Sequence, residues 1–178
     1  MRHSMRLPRR IHAAALLGSA IFLALLVSAH GAATATRTVH VSGTGTDELN
    51  HALVHSKQTT PTGTLERSTQ TVQLNGDLDG RVLYQVSTVV DSRTNTLVNT
   101  GDQVFSGTVA GSQPVMLHDS RFRFEVNLAS GEERGLVYLH DHIAGPYVEC
   151  TLKVSGTGKN QEGNPTFTYS GDCTFRSE

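Results

Sequence analysis

The sequence predicts an all-β protein, folded as a single antiparallel β-barrel of about eight strands, with a β-sandwich as the alternative. The chain has no Trp, is rich in Thr, Val and Ser, and contains 17 Gly, a composition typical of strands joined by tight turns. From residue 71 onward, short alternating apolar and polar stretches follow one another between turn signals. Each such strand has one apolar face to bury, and a closed barrel buries it while removing the exposed sheet edges.

Residues 1–29 have the features of a secretory signal peptide. Four arginines precede an apolar run at residues 13–29, and small residues allow cleavage after Ala29 or as late as Ala35. An uncleaved anchor helix is the alternative, because 17 residues lie at the lower limit for spanning a bilayer. We therefore expect an extracytoplasmic or secreted protein, with a leader of bacterial type.

The charge balance excludes some partners. Four of the 15 basic residues and none of the 16 acidic ones lie in the leader, which leaves 11 against 16 and a net charge of −5. A mildly acidic chain without a basic stripe argues against nucleic acid and against a membrane surface beyond the leader. Residues 36–178 are long enough for one domain with its own core.

The N-terminal part of the domain has weaker patterns. Residues 36–42 alternate and predict a first strand. Residues 47–55 are the one helix candidate, because Leu49, Ala52 and Leu53 fall at i, i+3 and i+4 and Asp47 precedes them as a cap. Residues 58–68 contain Thr, Pro and Gly and predict a loop.

The later strands are better defined. In residues 81–91, Val82, Tyr84 and Val86 share one face of a strand. Residues 97–110 place Phe105 on an apolar side, and residues 114–128 place Phe122 and Phe124 on a common face. Residues 136–143 form a further strand, apolar on both faces at its start.

The last two strands, residues 147–158 and 165–176, carry the only two cysteines. If Cys150 lies directly opposite Cys173, the same register pairs Leu152 with Gly171 and Val154 with Tyr169, while the interleaved pairs are polar. A slip of one residue would destroy both the disulfide and the two-faced pattern. We therefore predict a structural Cys150–Cys173 disulfide that faces the interior.

Spaced glycines and aromatic residues carry a family resemblance. The segments 76–80 (GDLDG), 105–111 (FSGTVAG), 156–158 (GTG) and 169–171 (YSG) resemble the glycine punctuation of allene oxide cyclase-like barrels, above all an uncharacterised bacterial branch. The resemblance covers about residues 72–175. It implies an eight-stranded antiparallel barrel with a cavity, whose relatives cyclise, isomerise or bind small hydrophobic molecules. No catalytic residue of those enzymes matches a position in this chain.

His140, Asp141 and His142 form the first cluster of chemically active residues. On a strand, residues i and i+2 share a face, as two metal ligands would. If Val137 and Leu139 face inward, both histidines face water and Asp141 faces in; the opposite parity brings the histidines inside. Because no further ligand has a predictable position, we predict no metal site and no cofactor.

His118, Asp119 and Ser120 form the second cluster. The parity of Met116 and Phe122 carries His118 and Ser120 inward, unless a bulge turns the segment towards solvent, which we favour. Their spacing does not by itself make a nucleophile, base and orienting acid.

Three functions are compatible with these patterns. The first is an exported barrel that binds a small apolar or amphipathic molecule in a lumen lined by Phe105, Phe122 and Phe124. The second is a cyclase or isomerase, with His118 or Asp141 as acid or base and Tyr84 or Tyr138 as hydrogen-bond donor. The third is a structural or interaction protein with a filled core.

Overall fold

The computed structural model of the protein describes residues 35–177, most of which form β-strands. Among these residues there is no α-helix, and accordingly no helix with the length and apolar character needed to cross a membrane. The strands are β1 (Thr36–Asp47), β2 (Leu53–Thr60), β3 (Gly63–Gly76), β4 (Leu78–Asp91), β5 (Thr96–Val109), β6 (Val115–Asp119), β7 (Arg123–Asn127), β8 (Glu133–Leu139), β9 (Asp141–Ala144), β10 (Val148–Lys159) and β11 (Pro165–Arg176). The predicted signal peptide lies outside the described residues.

Eight of these strands close into an antiparallel barrel. Around the barrel the order is β1, β3, β4, β5, β7, β8, β10 and β11, and β11 pairs with β1 to complete the circle. The predicted barrel of about eight strands is therefore confirmed, and the alternative sandwich does not form.

Three further strands extend the sheet outside this circle. Strand β2 pairs with the first half of β3, and β9 pairs with β6. Strands β6 and β7 pair with successive parts of β5, so together they follow one path that is interrupted at residues 120–122. This interruption decides which side chains of β6 face the interior.

The predicted alternation in β4 is confirmed. Val82, Tyr84 and Val86 are buried, whereas the intervening Leu83 and Gln85 are exposed. Side chains of a strand point alternately to its two faces, so the buried set lines the inside of the barrel. The pattern of this strand thus places Tyr84 in the interior.

The predicted register of the last hairpin is also confirmed. Cys150 lies opposite Cys173, Leu152 opposite Gly171 and Val154 opposite Tyr169. The two cysteines form a disulfide, their Cα atoms are 4.1 Å apart, and both are fully buried. Such a close pair is a non-hydrogen-bonded one, in which side chains approach most closely.

The N-terminal part of the domain differs from the prediction. The helix predicted over residues 47–55 is wrong: only Leu49–His51 forms a 3-10 turn, and β2 begins at Leu53. The predicted loop at 58–68 is instead the end of β2 and the start of β3. Leu49 and Leu53 are 41% and 62% exposed, so their helical spacing has no core to pack against, and pairing with β3 satisfies the backbone instead.

Large aromatic side chains fit inside the barrel because glycines lie opposite them. Phe124 lies opposite Gly135, and a Cβ atom at Gly135 would collide with the Phe124 ring. Phe167 lies over Gly45 in the same way. These glycines provide the space that lets rings from neighbouring strands lie across the interior.

The two ends of the barrel differ in packing. At the end where β4 begins and β5 ends, the packed end, the interior is filled by fully buried residues: Val41, Leu78, Phe105, Val109, Cys150 and Cys173. The opposite end, where β1 ends and β8 begins, contains a cavity, and we refer to it as the cavity end.

Candidate ligand-binding site in the barrel lumen

The lumen holds a cavity of about 60 Å³. A cavity needs at least about 10–15 Å³ to hold one water, and each water occupies about 30 Å³ in the liquid, so this cavity has room for a few water-sized groups. Aliphatic side chains form most of its deeper wall: Leu74, Val82, Val137, Leu139, Leu152 and Val154. Phe124, Phe167 and Tyr169 add aromatic surface. The cavity is therefore predominantly apolar and suited to a small guest.

Polar residues gather at one side of this cavity. Asp47 is the last residue of β1, Glu133 is the first of β8, and Asn99 lies near the start of β5, so all three lie towards the cavity end. Tyr84 and Gln103 line the cavity further inside. The lumen thus has an apolar depth and a polar, acidic mouth.

A row of buried polar residues crosses four neighbouring strands of the barrel wall, and two of them line the cavity. Gln70, Tyr84, Gln103 and Asp119 are direct neighbours on β3, β4, β5 and β6, and none is more than 7% exposed. Buried polar groups are retained only when hydrogen-bonded, and each of these has a partner. The row divides into two networks, one around Tyr84 and one around Asp119.

The Tyr84 network is coupled to the protonation of Asp47. Tyr84 Oη lies 2.7 Å from Asp47 Oδ2 and 2.6 Å from Gln70 Oε1, while Gln70 Nε2 donates to Ser68 Oγ at 2.6 Å. A tyrosine hydroxyl has a single proton and can donate it to only one acceptor. Above the pKa of Asp47, Tyr84 donates to its carboxylate. Below that pKa, Asp47 is a neutral acid that can donate to Tyr84 while Tyr84 donates to Gln70.

The surroundings of the site raise the pKa of its acidic groups. Burial raises the pKa of Asp47 to about 6, against the lowering effect of the Tyr84 hydrogen bond, and the charges of Glu133 and Glu48 raise it further. Burial also raises the pKa of Glu133. The pKa of Tyr84 is raised well above its usual range, first by burial and then by the Asp47 charge, so Tyr84 stays neutral.

Two buried acceptor atoms in this wall have no hydrogen-bond partner within residues 35–177: Oδ1 of Asp47 and Oδ1 of Asn99. A buried acceptor without a partner costs about 1–3 kcal/mol. Both residues line the cavity, so a guest with hydrogen-bond donors would remove that cost once the side chain turned its free oxygen towards the cavity.

Asp119 has a structural role at the interruption between β6 and β7. Its carboxylate accepts hydrogen bonds from the backbone N–H groups of Arg121 at 2.6 Å and Tyr138 at 2.7 Å, and from Gln103 Nε2 at 3.0 Å. These bonds replace the ladder that is lost where the strand breaks. They also join β5, β6 and β8 at one point of the barrel wall.

This interruption reverses the parity expected for the 118–120 cluster. Asp119 is the buried residue, whereas His118 is partly exposed and Ser120 fully so. The parity counted from Phe122 fails because the break at residues 120–122 shifts the alternation. His118 does turn towards solvent, as in the favoured interpretation, but the cause is a break between β6 and β7 and not a bulge.

His118 lies outside the barrel between two carboxylates. Its Nδ1 is 3.1 Å from Asp141 Oδ2, and its Nε2 is 3.4 Å from Asp102 Oδ1. Asp141 belongs to β9, which leaves the barrel wall after Leu139 and pairs with β6. Of the candidate acid and base residues, His118 and Asp141 are therefore brought together, but away from the lumen.

The strand parity of β8 follows the first of the two alternatives for Val137 and Leu139. The inward position that this alternative gave Asp141 is wrong, because β9 leaves the barrel wall and Asp141 is exposed. Val137 and Leu139 are buried, and the Tyr138 ring lies outside the barrel beneath the Arg121 guanidinium, 5.1 Å from it. His140 bonds to Thr151, and His142 stacks on a tyrosine of the outer surface. Among the described residues, no three His, Cys, Asp or Glu side chains converge as a metal ion would require.

The three phenylalanines predicted as ligand contacts occupy different positions. Phe124 lines the cavity. Phe122 is buried behind it, with ring centroids 5.7 Å from Phe124 and 6.0 Å from Tyr84. Phe105 is fully buried in the packed end. Tyr84, proposed as a hydrogen-bond donor, lies in the cavity wall.

Comparison of the chain with protein-family models, with curated proteins and with solved structures finds no significant match. The site must therefore be interpreted from its own geometry.

Sequence analysis missed most of the polar residues of the site. Gln103 has the parity of Phe105 on β5, and this polar residue on an apolar face was the one readable signal. The sequence pattern predicts Asp47 as a helix cap, and nothing in the sequence places Glu133 or Asn99 beside it, because their strands meet only through barrel closure.

Proposed function

We propose that the protein is an exported barrel that binds a small amphipathic molecule in its lumen. The apolar part of the guest lies between Leu139, Leu152 and Val154, and its polar head lies at the mouth beside Asp47 and Asn99. The observation that carries this proposal is the pairing of an apolar cavity with two unpartnered acceptor oxygens in its wall. Ligand sites in proteins share this design, in which apolar walls provide affinity and a few polar groups fix orientation.

The size of the cavity sets the class of guest. Because an apolar cavity of about 150 Å³ holds a benzene ring, a cavity of about 60 Å³ has room for a few non-hydrogen atoms, with the remainder of the molecule outside the mouth. Fully buried side chains at the packed end prevent deeper insertion. A guest of this kind is a short amphipathic compound, or the end of a longer one.

Export is the second part of the proposal. It is supported by the arginine-rich, apolar leader in residues 1–29 and by the disulfide, since disulfides persist in oxidising compartments. The resemblance to allene oxide cyclase-like barrels supports a lumen site as well, because the observed eight-stranded barrel is the fold that it implies.

Native mass spectrometry of the protein purified from its own host tests ligand binding directly. We expect the folded protein to carry a small molecule that is released on denaturation. The matched control is Val154→Phe, which places a ring in the cavity opposite Tyr169 and should give the mass of the empty protein. An unmodified mass for the wild-type chain, or an adduct retained equally by Val154→Phe, would contradict a lumen site.

An isomerase or cyclase is the second candidate function. The observation that favours it is the buried Asp47 carboxyl, whose pKa near 6 suits an acid or base at neutral pH, in contact with the Tyr84 hydroxyl. The recovered molecule, incubated with fresh protein and analysed by chromatography, distinguishes the two candidates. Conversion that Asp47→Asn abolishes would indicate an enzyme, whereas unchanged recovery would indicate a binding protein.

A further inference from the structure

The charge of the cavity wall is one-sided. Two carboxyl groups, Asp47 and Glu133, line the cavity, and no Lys, Arg or His lines it. Neither the Asp47 nor the Glu133 carboxylate forms an ion pair with a basic side chain in the described part of the chain. Buried carboxylates without a cation are expensive, and proteins usually pair them. The chemical complement of this wall is therefore a cation.

The hydrogen-bonding groups at the mouth also favour a cationic ligand that carries hydrogen-bond donors. The two unpartnered buried atoms, Asp47 Oδ1 and Asn99 Oδ1, are both acceptors. Inside the same wall, Gln103 Nε2 is already engaged by Asp119, and the Tyr84 hydroxyl bonds to Gln70. A guest that satisfies these atoms has to bring its own N–H or O–H donors.

We propose that the head group bound at the mouth is a primary ammonium, held by the Asp47 carboxylate with Asn99 and Glu133, while its alkyl chain occupies the apolar depth. This inference rests on the proposed lumen binding and names its ligand class. An alkylammonium has three N–H donors on one compact charge, which suits a small cavity lined by several residues with acceptor groups. A neutral alcohol would bring a single donor and leave the carboxylates uncompensated.

Binding of a cation couples to the proton on Asp47. A primary amine stays protonated to about pH 10, so the amine keeps its charge throughout the neutral range. Asp47 then has to release its proton to pair with it, and the groups that face Asp47 are Tyr84 on β4, Glu133 on β8 and the adjacent Glu48, itself 3.9 Å from Arg81. With a pKa of about 6, Asp47 is roughly ten times more ionised at pH 7.5 than at pH 5. Amine affinity should rise about tenfold over that interval.

Three probes of equal chain length test the proposal: butylammonium chloride, butan-1-ol and sodium butanoate. Each is titrated into ¹⁵N-labelled protein at pH 7.5 and constant ionic strength, and amide shifts near the cavity are followed by NMR. We expect butylammonium to bind at least tenfold more tightly than butan-1-ol, and butanoate to bind weakest. Butan-1-ol binding as tightly as butylammonium would overturn the ammonium assignment while the lumen function stands. Failure of all three to shift cavity amides would overturn both.

Two variants separate the site from general charge effects. Asp47→Asn should weaken butylammonium about tenfold, remove its pH dependence between pH 5 and 7.5, and leave butan-1-ol unchanged. Asp79→Asn removes the same charge from an exposed position at the packed end and should change neither affinity. Equal loss of butylammonium affinity in both variants would overturn the proposal, because it would show attraction by net charge alone.

Discussion

Replacement of Asp47 by Asn should stabilise the protein at neutral pH, although the residue lies in the interior wall. Asn resembles the neutral carboxylic acid: its amide can donate to Tyr84 Oη, as the protonated Asp47 does, and it has no charge to bury. The substitution therefore keeps the hydrogen-bond chain through Tyr84 and Gln70 and removes the ionisation.

The magnitude follows from the pKa of Asp47, which rises from 3.8 to about 6 on folding. Below pH 3.8 the carboxyl is protonated in the folded and unfolded chains alike, and it favours neither. As the pH rises from 3.8 to 6, the unfolded chain releases the proton first, so folding loses free energy, and above pH 6 the loss is complete. About two pKa units correspond to about 3 kcal/mol.

Urea denaturation of wild type, Asp47→Asn and the control Asp79→Asn at pH 3.5 and pH 7.5 measures this effect. We expect Asp47→Asn to equal wild type within about 0.5 kcal/mol at pH 3.5 and to exceed it by up to about 3 kcal/mol at pH 7.5. Asp79→Asn should follow wild type at both values. If Asp47→Asn is less stable than wild type by the same amount at both pH values, Asp47 is not buried with a raised pKa.

Three further substitutions test the barrel wall. Converting Cys150 and Cys173 to Ala should lower the free energy of unfolding by about 3 kcal/mol, because the disulfide links residues 23 positions apart, and urea denaturation at neutral pH under non-reducing conditions measures it. Asp119→Ala leaves two buried backbone N–H groups without an acceptor and should cost about 3 kcal/mol in the same assay; a loss below 1 kcal/mol would contradict the role of Asp119 as the joint of β5, β6 and β8. Tyr169→Phe removes the hydroxyl that accepts from the backbone N–H of Leu78 at 2.7 Å, and a fall of about 1–2 kcal/mol in thermal or urea unfolding is expected, with no change refuting the contact.

Local alternation predicted the strands whose two faces differ clearly. Val82, Tyr84 and Val86 identified the inner face of β4, and the two cysteines fixed the register of β10 and β11 to the residue. In both cases the information lies within one strand or one hairpin, where sequence neighbours are also structural neighbours.

Prediction failed where the outcome depends on distant strands. The helical spacing of Leu49 and Leu53 was overridden because β3 offers an unpaired edge to this segment. The break after Asp119 contains neither Gly nor Pro, so no turn residue predicts it. It is stabilised by a hydrogen bond from the backbone N–H of Tyr138, 19 residues away, to the Asp119 carboxylate. Parity beyond the break could not be counted from Phe122.

The candidate site was the least predictable part for the same reason. Asp47, Asn99 and Glu133 come from β1, β5 and β8, and only closure of the barrel brings these strands around one cavity. Tyr84 was identified from its own strand, but its bond to Asp47 spans 37 positions of sequence. The alternation within a strand predicts which face a side chain points to, whereas closure of the barrel determines which residues lie next to it.

The lumen holds room for an apolar guest, and xenon tests this most directly because xenon enters apolar cavities of sufficient size. Diffraction from a crystal of the protein pressurised with xenon should show one ordered site inside the barrel, beside Leu139, Leu152 and Val154, and no such site in Val154→Phe. Xenon found only on the outer surface, with the interior closed by repacked side chains, would contradict the proposed binding function.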